Sequence, residues 1–164
     1  MPKTYTPIST VKIDNSSTTT LDFTSIPQTY TDLVLVCSYG LTAGDLYLRI
    51  NNDTANYSDT ELYGNGTAAN STRLSNRSGY YLSDQGITKP GPATVSTVHF
   101  NNYSNTTTYK NVLWRSDDVG VSTEAHIGLW RSTAAITSIN CIIINVSGVI
   151  TPGSQFTLYG IKAA

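Results

Sequence analysis

Apolar and polar positions alternate along this chain in short runs, and clusters of Asn, Ser, Thr and Gly separate the runs. Period-two alternation of this kind predicts half-buried β-strands, and the clusters predict the turns between them. Residues 5–13 read as a first strand interrupted by Pro7, which places it at a sheet edge or makes it an arm on another surface. Leu21 and Phe23 alternate with Asp22 and Thr24 as a short second strand, and 26–30 reads as a turn or a single helical turn. The run 32–39 (DLVLVCSY) is almost continuously apolar, which predicts a central strand covered on both faces. After a turn at 40–44, residues 45–51 alternate cleanly, with Leu46, Leu48 and Ile50 inward and Tyr47 and Arg49 outward.

The pattern weakens between Asn51 and Gly91. There, 57–63 reads as a short helix or an irregular strand, and 73–83 as one exposed strand carrying Tyr80 and Tyr81. Gly64-Asn65-Gly66 signals a tight turn, and Lys89-Pro90-Gly91-Pro92 a firm break. Strands resume at 93–101, 108–116, 124–131, 138–146 and 155–161. The expected fold is all-β: a single antiparallel, jelly-roll-like β-sandwich over 1–164, with roughly nine or ten strands and little or no helix. Residues 1–7 are the candidate extended arm.

Composition narrows the function classes. About a third of the 164 residues are Thr, Ser or Asn, only 13% are charged, and the formal net charge is −1. Such a chain generates no field to steer nucleic acid or an anionic membrane. The start, Met-Pro-Lys-Thr-Tyr, lacks the apolar centre of a signal peptide, and no run is long enough for a membrane helix, so synthesis in a cytoplasm is expected. Cys37 and Cys141 each sit in an apolar strand. Two buried free thiols are expected there in preference to a disulfide, and neither cysteine has a zinc-ligand neighbour in sequence.

Candidate chemistry is sparse. Leu-Trp-Arg-Ser occurs twice, at 113–116 and 129–132. A hairpin turning near 118–120 would set Trp114 opposite Ala125, out of register with the second copy, so two strands each burying a tryptophan are expected. The histidines are His99 and His126, and no Gly-x-Ser-x-Gly elbow presents a nucleophile. Glu124 and His126 lie two apart on one strand and so share a face. That is half a metal site without visible further ligands, and a surface Glu–His contact is the expected outcome. Asp117 and Asp118 read as turn formers, and Asp53, Asp59 and Glu61 fall in the weakly patterned region. Calcium-loop and phosphate-loop spacings are absent. The expectation is no enzyme, no cofactor and no metal. Frequent Asn-x-Ser/Thr sequons follow from composition. Among eleven tyrosines, Tyr57, Tyr63, Tyr80 and Tyr81 lie where the pattern is weakest and are expected at the surface. With Pro2, Lys3, Tyr5 and Pro7 of the arm they are the candidate partner contacts.

Three phrases carry a family look: 26–35 (IPQTYTDLVL), 128–139 (GLWRSTAAITSI) and 156–164 (FTLYGIKAA). They resemble a group of small β-structured virion proteins of tailed bacteriophages, cyanophages in particular, over most of the chain outside 51–91. The resemblance implies a capsid cement (decoration) protein or a tail-fibre part, a β-sandwich, and a homotrimer on the outside of a shell. The implied partners are the major capsid protein and further copies of the chain, and the implied location is the virion capsid surface. A tail-fibre or receptor-binding domain taking host surface glycans is the alternative, and the missing N-terminal shaft favours decoration. The phrases are structural and transfer no binding residues.

Overall fold

The computed structural model describes residues 4–15, 17–83, 89–118, 122–144 and 147–162. Twelve strands run through them: β1 (Tyr5–Lys12), β2 (Thr20–Phe23), β3 (Asp32–Leu41), β4 (Asp45–Ile50), β5 (Tyr57–Gly64), β6 (Ala69–Arg77), β7 (Tyr80–Ser83), β8 (Lys89–Phe100), β9 (Lys110–Asp118), β10 (Ser122–Trp130), β11 (Ile139–Ile144) and β12 (Gln155–Ile161). Eight form one sheet in the order β1-β12-β3-β8-β9-β10-β5-β6, and four form a second in the order β2-β11-β4-β7. Neighbours pair antiparallel throughout, and the two sheets pack as a sandwich.

The core lies between the sheets and follows the alternation. Leu33, Leu35, Cys37 and Tyr39 of β3 meet Leu46, Leu48 and Ile50 of β4 and Ile139 and Cys141 of β11, all fully enclosed. Each buried Leu or Ile contributes about 1.5–3 kcal/mol relative to exposure, which is what holds the layers together. The apolar run of β3 predicted cover on both faces. Val34 is indeed buried, but Val36 on the same outer face is 38% exposed, because none of the described elements covers the large sheet there.

Three segments differ from expectation. Residues 89–92, expected as a firm break, are the start of β8. Residues 57–63 form the regular strand β5, whose alternation is carried by Asp59 and Glu61 and so escapes a hydrophobic reading. Residues 73–83 are two strands in different sheets, since β6 turns at Asn76 (φ 55°), ends at Arg77, and the chain crosses through Ser78-Gly79 into β7. Gly79 is required at that crossing, because a Cβ would stand 2.8 Å from the Tyr47 ring and 2.9 Å from Leu48 O. These divisions raise the strand number among the described residues to twelve.

Of the two expectations for the N-terminus, sheet edge or arm, residues 5–7 show the sheet edge. Tyr5, Thr6 and Pro7 pair with Ile161, Gly160 and Tyr159 as the start of edge strand β1, with a register shift just after Pro7. The missing proline N–H is tolerated because β1 is an edge. Pro2 and Lys3 lie outside the described residues.

Candidate functional site

Along β8, β9, β10 and β5 the inner face of the large sheet changes character from one end to the other. At one end Phe100, Val112, Trp130 and Tyr57 are apolar and buried; at the other Thr94, Ser96, Ser116, Ser122, Glu124 and Glu61 are polar and equally buried. Ser96 and Ser116 hydroxyls lie 3.0 Å apart and both donate to Leu82 O of β7. Burying so many polar groups is costly unless each finds a partner.

The polar end holds an acidic cluster around His126. β5 and β10 are adjacent, with Glu61 opposite His126 and Asp59 opposite Gly128. Asp59 and Glu61 are two apart on one strand, and Glu124 and His126 two apart on the other, so all four side chains converge on one face. Every one is buried, with His126 and Glu124 each 3% exposed. His126 Nε2 lies 3.3 Å from Glu124 Oε2, and Nδ1 faces Asp59 Oδ2 at 3.7 Å. The second distance exceeds hydrogen-bond length, so that contact is an ion pair, and Nδ1 has no hydrogen-bond partner among the described residues. Ser122 Oγ donates to Glu124 Oε1 at 2.9 Å. The imidazole stacks on Trp114, ring centroids 4.3 Å apart and planes 7° from parallel, so it is fixed in orientation.

Burial by itself lowers the His126 pKa. The contacts with Asp59 and Glu124, aided by the charge of Glu61, outweigh it and raise the value to about 9. With no ion bound, these acidic surroundings favour the protonated ring. One ligand atom from each of Glu61, Glu124 and His126 falls within 4.8 Å of the others. Both glutamates make further contacts.

The expectation of a surface Glu–His contact is thus overturned: the pair is interior, and its missing companions come from β5. Each pair shows a period-two signal in the sequence. What the sequence does not carry is that β5 and β10, far apart in the chain, are neighbours.

A second feature lies on the opposite, outer face of the same sheet. Val36, Leu62, Val95, Leu113, Ile127 and Leu129 are exposed there, Leu62 and Ile127 by 56% and 57%. Thr60, Leu62, Thr97, Leu113, Arg115 and Ile127 are among the residues lining a depression of about 670 Å³ on this face.

The candidate contact tyrosines do not gather at the surface. Tyr57 and Tyr80 are completely buried, their rings 4.9 Å apart in the core. Tyr57 Oη accepts from Ile50 N at 2.8 Å, which ties the ring to the opposite sheet. Their surroundings look polar in sequence because the residues beside them in the chain face outward or cap turns. Tyr63 and Tyr81 are half-buried, Tyr81 lying beneath the Arg77 guanidinium at 3.8 Å and edge-on to Tyr47. Tyr5 is 53% exposed on β1, and Pro7 is exposed beside it. The two tryptophans of the Leu-Trp-Arg-Ser repeats are both buried, and Trp114 pairs with His126, one residue from the anticipated Ala125. Cys37 and Cys141 are buried free thiols. Burial pushes both thiols well up, with the charge of Cys141 a second cause at Cys37.

No family model matches the chain, and no curated protein is similar to it. Among solved structures, that of Eiger TNF from S. frugiperda aligns over 97% of this chain and 96% of that chain at 12% identity. Its TM-score of 0.16 is too low to support any inference about shape or role.

Proposed function

We propose that the protein is a structural component of a phage virion, a capsid cement protein that binds the outer shell as a homotrimer and stabilises it. The observation that carries this reading is the aliphatic field on the outer face of the eight-stranded sheet. Exposed aliphatics grouped on a weakly charged surface fit an interface built on apolar contact in preference to charge steering. The three phrases that resemble phage virion proteins supply the shell as its partner. In this structure the first two are hydrogen-bonded, Gln28 Nε2 donating to Ile136 O at 2.9 Å and Ile26 N to Thr137 O at 3.1 Å, and the third pairs with the first, Leu158 opposite Leu35 and Tyr159 opposite Val34. Threefold repetition multiplies such modest contacts into high avidity, and the role needs no catalytic group. Tyr57 and Tyr80, two of the four candidate contact tyrosines, lie in the core and serve neither this reading nor the glycan-binding alternative.

Quantitative mass spectrometry of purified virions tests the reading. A copy number in fixed proportion to the major capsid protein is expected, and a tail-level copy number would overturn it. For the face itself, Leu62→Asp with Ile127→Asp should abolish binding to shells while leaving the thermal unfolding of the free protein in place. Undiminished shell binding by that variant would remove the outer face from the interface.

A further inference from the structure

We infer that Glu61, Glu124 and His126 form a site for one divalent transition-metal ion of the zinc class, held inside the sandwich. The donor set is one imidazole nitrogen with carboxylate oxygens. Calcium and magnesium seek oxygen alone, whereas zinc accepts both donor types. Spacing agrees with this. Donors bound to zinc at about 2.0–2.2 Å stand roughly 3.4 Å apart along a tetrahedral edge, and His126 Nε2 already lies 3.3 Å from Glu124 Oε2. Glu61 offers a carboxylate oxygen within 4.8 Å of a ligand atom on each of the other two residues, so an approach of up to about 1.4 Å completes the set.

The imidazole supplies the independent observation. His126 is 97% enclosed, yet its Nδ1 has no hydrogen bond among the described residues and points at Asp59 Oδ2 across 3.7 Å. An ion on Nε2 leaves the ring proton on Nδ1, aimed at that carboxylate. This is the carboxylate–histidine–metal arrangement in which an outer carboxylate fixes the ring tautomer. Ser122 does the same for Glu124 by donating to the oxygen turned away from the histidine. Asp59 and Ser122 are therefore positioning residues, and Trp114 limits the ring's rotation by stacking on it. Two adjacent antiparallel strands hold the whole set, so little order has to be gained on binding. The ion site is independent of what the outer face binds.

Isothermal titration of the full chain with zinc chloride, after dialysis against EDTA, tests the site. One equivalent per chain is expected, with a rise in the unfolding temperature. Asp59→Asn should weaken affinity by about 10–100-fold, Glu61→Gln with Glu124→Gln should abolish it, and His99→Gln should leave it unchanged. If the double glutamine variant fails to fold, the His126 ring nitrogens report directly in wild-type protein: zinc should shift the Nε2 resonance and keep the proton on Nδ1. Absence of saturable one-equivalent uptake, uptake unaffected in folded Asp59→Asn, loss through His99→Gln, or unmoved His126 resonances would each overturn the assignment.

Discussion

Gly128 sits in the middle of β10 with its missing side chain directed into the core, and the Tyr80 ring occupies the space. A Cβ there would lie 2.6 Å from Tyr80 Cε1, 2.8 Å from Cζ and 2.9 Å from Trp114 Cζ3. Ordinary carbon contacts are about 3.5–4.0 Å, so Gly128→Ala forces an overlap approaching an ångström. Tyr80 has nowhere to retreat: it is fully buried, with Tyr57 and Trp114 each 4.9 Å away, ring to ring. Alanine in place of a strand glycine would otherwise recover about 0.5–1 kcal/mol of backbone entropy. Overpacking a tight core costs about 1–3 kcal/mol or more, so the clash prevails and a net loss of about 1–2 kcal/mol is expected. For a domain of this size that lowers the unfolding temperature by roughly 2–8 °C. Guanidinium unfolding should show a lower midpoint at unchanged slope. Gly64→Ala is the control, since its Cβ meets only Ala68 O at an ordinary 3.7 Å. Gly128→Ala as stable as wild type would refute the close packing of Tyr80, as would equal losses at both glycines.

Three further outcomes follow from the buried groups. Asp53 accepts a hydrogen bond from Trp130 Nε1 at 2.7 Å, so Asp53→Ala should leave a buried indole donor unpaired and cost about 1–3 kcal/mol in denaturant unfolding. Burial raises the Asp53 pKa, but donors from Trp130, Ala55 and Asn56 outweigh it and hold the carboxyl below its ordinary value. Because the folded value is the lower one, this stabilisation is present above the ordinary carboxylate range and fades as pH falls through the folded value; Asp53→Asn should flatten that acid limb. Ellman's reagent should find no reactive thiol in native protein and two after denaturation, since Cys37 and Cys141 are enclosed and kept protonated. A fast-reacting thiol in the folded state would contradict their placement.

Alternation made most strands visible in the sequence, because burial on one face leaves a period-two record wherever the buried residues are apolar. β4, β8, β9, β10 and β12 were legible for that reason. β5 was not: its inward positions include Asp59 and Glu61, so the same geometry is written in acids. The β6–β7 boundary was hidden because Ser78-Gly79 is short and polar, like the strand it interrupts. Non-local pairing left no trace either. β5 and β10 are brought together not by any pattern of their own but by their place in the sheet order, and only that order brings Asp59 to His126. The tyrosines misled in the opposite direction, since polar neighbours in the chain say nothing about a ring that reaches between sheets.

The asparagines at three turns have a use of their own. Asn15, Asn65 and Asn105 each accept with Oδ1 from groups two and three residues on: Ser17 and Thr18, Thr67 and Ala68, Thr107 and Thr108. Only the oxygen works in these turns, and aspartate supplies the same oxygen. The three positions are therefore sites where a negative charge can be written onto the surface without altering any turn. Colloidal behaviour can thus be tuned at these loops separately from the architecture they connect.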